Sequence, residues 1–305
     1  MSYIKPTSDI FITYLLGSEN HKNLLKAFIN AVMNDSGFSE IVSLEIKNPF
    51  NIKTFKHDKE SILDIKAVDE RGRIFNIEVQ TSGDNIFRNR TLYYWARLYS
   101  SQLEEGNFYS QLYPVVCINI LEFNLFAQFN KDHSTFMVHE HSNPELVLSE
   151  HLRIHFLELP KLKSLNLNRR LAHWLYFFKK EGMEDKNMEV LLKENDNIAE
   201  AHAAYEAFSR DEKLVDAYEA RMKWYRDYVL GLEYAKEQAR KQALEEGREE
   251  GRELGREEGR EEGLKKGRQQ GQIEIARKML AEGFNPEIIG KFVNLSMEEI
   301  KNLGF

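Results

Sequence analysis

Apolar residues at helical spacing open the chain. Ile10, Phe11, Ile12, Tyr14 and Leu15 follow Thr7-Ser8-Asp9, whose short polar side chains suit a helix N-terminus, and they predict a helix ending at Gly17. Leu24, Leu25, Phe28, Ile29 and Val32 predict a second helix from about His21. The period then drops to that of a strand. Val42, Leu44 and Ile46 alternate with polar neighbours and stop at Asn48-Pro49.

Residues 61–69 and 73–81 are two β-rich runs around Glu70-Arg71-Gly72. A three-residue hairpin loop commonly ends on a left-handed residue, and Gly72 stands in that place. With Asp69 opposite Arg73, counting sets Val68 against Ile74, Lys66 against Asn76, and Asp64 against Glu78. Strand side chains alternate, so Leu63, Ile65, Ala67, Phe75, Ile77 and Val79 form an apolar face. Asp64, Lys66, Asn76, Glu78 and Gln80 form the other.

A helix is predicted from about Asn85 to Leu103, then a buried strand from Pro114 to Ile120. Weaker strands are predicted at Thr135–His139 and Arg153–Leu159. From Asn168 the chain reads as helix, including a long run from about Asn197 to Ala243. Glycine then recurs every fourth residue from Gly247 to Gly271, separated mainly by Arg and Glu. The end of the chain, from Ile273, predicts two or three short helices. The expected organisation is a core over 1–165, a helical region over 166–244, a Gly/Arg/Glu connector over 245–272 and a small helical tail, helix-turn-helix-like, over 273–305.

Composition changes this picture little. No apolar run reaches the ~18 to 20 residues that span a bilayer, and the first nine residues have no secretory h-region. The single cysteine, Cys117, lies in an apolar run and reads as a buried hydrophobe. A soluble, cytoplasmic protein is expected. The net charge of −7 argues against a nucleic-acid binder. Residues 245–262, however, carry nine Glu and four Arg, so the remainder of the chain stands near −2.

The chemistry concentrates on the hairpin. Like charges directly opposed in a sheet are destabilising, and such residues have Cα atoms only about 4.5 to 5.5 Å apart. Asp64 facing Glu78 is therefore a conflict that a shared hard cation would resolve, Mg²⁺ above all, with Mn²⁺ or Ca²⁺ as alternatives. Gln80, on the same face, would orient a water, and the Val79 carbonyl would supply a further ligand. Lys66, diagonal to both carboxylates, could also neutralise them with no metal at all.

Asp64, thirteen intervening residues, then Glu78-Val79-Gln80 on consecutive strands resembles the Asp…Glu-x-Lys core of PD-(D/E)XK nucleases. Within that superfamily the chain resembles the recombination-promoting nuclease/transposase family. Thr7-Ser8-Asp9-Ile10-Phe11, residues 63–67, 76–80 and 90–99, and the strand 114–120 with Leu121-Glu122-Phe123 carry the likeness, over roughly residues 1–240. It implies an α/β, restriction-endonuclease-like core, divalent-metal dependence and endonucleolytic hydrolysis of DNA phosphodiesters linked to recombination, mobile elements or phage defence. Asp64 and Glu78 would hold the metal, with Gln80 and Lys66 beside them as catalytic residues. No organic cofactor is expected. The superfamily motif ends in Lys where this chain has neutral Gln80, and Lys66 is a candidate for the cationic role. Asp9 is either an auxiliary acid or simply a helix cap.

Arg88 and Arg90 follow the second site strand closely and are candidate phosphate contacts to DNA. Tyr93, Tyr94 and Trp95 read as core, and His139 and His141 as surface. The glycine repeat reads either as a solvated connector or as a face for a helical partner, such as a second copy of this chain. Two rivals to the nuclease stand: a catalytically silent DNA-binding relative, suggested by Gln80, and an assembly protein acting through its C-terminal region.

Overall fold

The computed structural model describes residues 3–48, 65–83, 86–183 and 185–303. The two predicted opening helices run Asp9–Gly17 (α1) and Lys22–Asp35 (α2). Strands come next at Leu44–Ile46 (β1), Ile65–Asp69 (β2) and Ile74–Gln80 (β3), then a helix at Phe87–Ser100 (α3). Three more strands lie at Val115–Leu121 (β4), His133–His139 (β5) and Val147–Glu158 (β6). Helices at Arg170–Lys180 (α4), Lys186–Glu194 (α5), Asp196–Arg210 (α6), Glu212–Ala281 (α7), Pro286–Val293 (α8) and Met297–Leu303 (α9) complete the described chain.

The strands form one mixed sheet in the order β1-β2-β3-β4-β6-β5. β2 runs antiparallel to both β1 and β3; β3, β4 and β6 run parallel; β5 returns antiparallel along β6. Parallel neighbours require long crossovers, and α3 lies in the one between β3 and β4. All seven residues of β4 are buried, as its continuous apolar run requires of a strand covered on both faces.

Alternation along the strands divides the packing into two layers. Phe75, Ile77, Val116, Ile118, Ile120 and Leu157 face α1, α2, α4, α5 and α6 in the larger core. There Phe11 meets Tyr205 and Phe208 edge-on, with centroids 5.3 and 5.4 Å away. On the other face Val115, Cys117, Leu121, Ile154 and Phe156 pack with Phe87, and Trp95, Leu98 and Tyr99 of α3 lie against them. Cys117 is buried there, as its sequence context predicts.

Several expectations are corrected. Val42 lies outside β1 and is 73% exposed, while Ile41 takes the buried place and its backbone N–H and C=O both pair with the Asn30 side chain. The run from Asn197 breaks at Asp211, whose carboxylate accepts the Lys213 and Leu214 N–H groups and so starts α7. Tyr93 is 62% exposed and is not core, whereas Trp95 packs on the sheet and donates its indole N–H to the Val115 carbonyl.

Between β5, β6 and α2 lies a buried polar cluster, on the sheet face opposite Glu78. The Nε2 of His133 is 3.0 Å from Nδ1 of His155, and its Nδ1 is 2.7 Å from the Asp35 carboxylate. Arg169 grips the same carboxylate at 2.5 and 2.8 Å. Elsewhere, at the end of β6, Glu158 is fully buried, caps the Leu125 and Phe126 N–H groups, and pairs with Lys161 at 2.6 Å.

The described chain divides into two compact units, Met1–Arg226 and Asp227–Phe305. The second has its own small core of Ala276, Ile289, Val293 and Ile300. In it the glycine repeat is helical and exposed, with open space where each Cβ would stand from Gly247 to Gly271. Asn285 caps α8 through the Glu287 N–H, as Asn285-Pro286-Glu287 predicts. No described helix is long and apolar enough to cross a membrane.

Candidate active site

The hairpin turn sets the pairing of β2 with β3. Gly72 takes φ +77°, and the buried Asp69 carboxylate accepts the N–H groups of Arg71 and Arg73 at 3.0 and 2.8 Å and the Arg73 Nε at 2.6 Å. The ladder then runs Val68 to Ile74, Lys66 to Asn76 and Ile65 to Ile77, the register obtained by counting. Asp64 lies outside the described residues, and so does its predicted pairing with Glu78.

Glu78 does not sit on an open polar face. It is 3% exposed, as is Asn76, because β4 flanks β3 on its second edge and α3 packs over this side of the sheet. Its register partner on β4 is Asn119. Glu78 opens onto a cleft of about 420 Å³. Gln80 and Val79 of β3, Ser8 and Asp9 at the start of α1, and Trp224 and Tyr225 of α7 are among the residues that line it.

Two ion pairs stand in the cleft wall. Asp9 follows the N-cap Ser8 and is not itself the cap; one oxygen accepts the Ile10 N–H at 2.8 Å, and the other meets Arg221 at 2.6 and 2.7 Å. Lys5 reaches Glu122 at 2.5 Å, and the Thr7 hydroxyl donates to the same carboxylate. Arg221 also stacks over the Trp224 ring, 4.8 Å from its centroid. Sequence reasoning assigned no site role to Lys5, Glu122, Arg221, Trp224 or Tyr225. Glu122 appeared only as part of the family likeness, and Arg221 stands 212 residues from its partner Asp9.

Gln80 donates its side-chain N–H to a Glu78 carboxylate oxygen and accepts from Arg90 Nη2 at 2.7 Å. Arg90 is half-buried, with its guanidinium 5.1 Å from the Phe87 ring centroid. Arg88 is exposed and lies 5.8 Å from the Phe126 ring centroid. Lys66 is half-buried on β2 opposite Asn76 and is not part of the cleft lining. His139 and His141 are exposed, beyond or at the end of β5.

The acceptor groups of the cleft are carboxylate, amide and hydroxyl oxygens, two of the carboxylates paired with Lys5 and Arg221, with no thiolate or imidazole among the lining residues. That chemistry suits a hard divalent cation rather than a soft one. Among the described residues no three His, Cys, Asp or Glu side chains are grouped closely enough to hold a metal by themselves. No curated protein and no solved structure matches the chain. One family model does, over residues 6–235, which takes in the sheet, the cleft except Lys5, and every site residue predicted from the sequence. The chain belongs to the PD-(D/E)XK nuclease family transposases.

Proposed function

We propose that this protein is a divalent-metal-dependent DNA endonuclease whose cation is held by Glu78 and Asp64. The observation that carries the reading is the Glu78 carboxylate, 3% exposed yet lining a cleft whose wall also holds Asp9 and Glu122. An ionised carboxylate so placed is costly unless a cation or strong donors compensate it.

A hard cation such as Mg²⁺ or Mn²⁺, held by the Glu78 and Asp64 carboxylates, would supply Lewis-acid polarisation of a phosphate oxygen and a more acidic water. The chain's own residues do the rest. Glu78 and Asp64 bind the cation; the Gln80 amide, in the cleft, orients the attacking water. Arg88, exposed at the start of α3, takes a neighbouring backbone phosphate and adds salt-dependent, sequence-independent affinity. Asp9 and Glu122 hold Arg221 and Lys5 in the wall that the substrate strand passes. The biological setting that fits the family description is strand cutting during movement of mobile DNA.

The test is cleavage of supercoiled plasmid by purified protein with Mg²⁺, with Mn²⁺ and with neither, alongside Asp64→Asn and Glu78→Gln. Relaxed or linear product that requires metal and vanishes in both variants is the expected result. Cleavage that persists in both variants would remove the hairpin from the mechanism. Intact plasmid under every cation, with binding retained, would favour a silent DNA-binding relative, the reading to which neutral Gln80 points.

A further inference from the structure

We propose that Gln80 and Arg90 together perform the task of the missing motif lysine, Arg90 being a positioning residue that acts through the Gln80 amide on Glu78. The inference rests on the nuclease reading above and identifies which residues prepare its carboxylate.

The geometry is directional. Arginine has donors and no acceptor, so the Gln80 atom 2.7 Å from Arg90 Nη2 is its carbonyl oxygen. The Gln80 nitrogen is thereby turned toward Glu78, to which it donates. A free glutamine could present either end of its amide to the cleft. Here a cation behind it selects the end, and a charged donor polarises the amide so that its N–H groups become stronger donors. The carboxylate therefore meets a fixed N–H backed by positive charge, which is what a lysine ammonium would otherwise supply.

Arg90 is itself held in place. Its guanidinium lies against the Phe87 ring, and Phe87 is buried between Phe123 and Phe156, with ring centroids 5.9 and 6.2 Å away. Its Nε–H is buried and meets no acceptor among the described residues, so the Gln80 oxygen is the bond that orients the head group. Lys66, the candidate from sequence, stands outside the cleft lining, whereas Gln80 is in it. Because a guanidinium stays protonated at any ordinary pH, the relay supplies charge that does not titrate with the site.

Two measurements test the proposal, one of them independent of catalysis. In metal-free protein, the Gln80 side-chain amide resonances, assigned by their loss in Gln80→Lys, should lie away from free-amide positions. They should move toward those positions in Arg90→Ala and in Glu78→Gln. Resonances unchanged by Arg90→Ala would overturn the relay, whether or not the protein cuts DNA. In the plasmid assay at saturating Mn²⁺, Arg90→Ala should lower the cleavage rate by about tenfold or more. Adding Gln80→Lys to Arg90→Ala should recover most of the lost rate. A double variant no faster than Arg90→Ala would reduce Arg90 to a structural part. A wild-type protein that cuts no DNA while its Gln80 resonances respond as expected would refute the nuclease reading and leave the relay standing.

Discussion

Acidification should destabilise this fold well above the pH at which carboxylates titrate, through His155. The side chain is fully buried on β6, its Nδ1 faces His133 and Thr135, and its Nε2 has no partner among the described residues. Burial pushes its pKa down from 6.5 to about 3, helped by His133 and Arg153 and opposed by Asp35. The unfolded chain takes up a proton as pH falls through 6.5, and the folded chain does not until about 3. Stability contributed by neutral His155 is thus present above the unfolded value and lost progressively below it. Between about pH 7 and about pH 5 the loss is about 2 kcal/mol, at about 1.4 kcal/mol per pH unit once the unfolded imidazole is protonated. Asp35 acts later: burial alone would raise its pKa, but Arg169 and His133 hold it well below the usual carboxylate range. Its contribution is lost only below its unfolded value of 3.8, outside this window. The assay is urea unfolding of wild type and His155→Phe at both pH values. The variant keeps a buried aromatic ring but removes the titration and the Nδ1 contacts with His133 and Thr135, so it should be less stable at neutral pH and less sensitive to acid. An equal loss of midpoint in both proteins would refute the assignment to His155.

Two further perturbations probe the packing. Lys161→Met leaves the fully buried Glu158 without its cation and should cost about 3 kcal/mol or more in denaturant unfolding; a change within error would mean that the Leu125 and Phe126 N–H groups suffice. Replacing Gly251, Gly255 and Gly259 together by Ala meets open space at every Cβ. It should stabilise that helix by about 2 to 3 kcal/mol, since each glycine is worth about 0.8 to 1 kcal/mol relative to alanine. Far-UV circular dichroism during heating reads this out, and reduced helicity would contradict the open environment.

What was legible in the sequence was local. The hairpin register came from Gly72 and the alternation around it, because a short turn fixes the pairing of both strands. β4 was legible as a continuous apolar run. The burial of Glu78 was not, because it depends on β4 covering the second edge of β3 and on α3 closing over that face. The Arg90–Gln80 contact was hidden for a similar reason: it depends on how α3 is rotated when Phe87 docks. His155 lies in the predicted strand Arg153–Leu159 and His133 just before the predicted strand Thr135–His139, and only the antiparallel pairing of β5 with β6 brings them together. Helix propensity left the glycine repeat undecided between its two readings. In the structure it is helical and open along its glycine face.

The cleft draws its wall from both ends of the first unit, Lys5 to Asp9 at one and Arg221 to Tyr225 at the other. Synthesis proceeds from the N-terminus, so β3 and its carboxylate emerge long before that second wall exists. A nascent chain that ends at α6 contains Glu78 but lacks the guanidinium that pairs with Asp9 and the aromatic side of the cleft. Order of synthesis thus sets order of assembly: the strand that carries Glu78 is made long before the cleft around it, which is complete only in chains that have passed Tyr225.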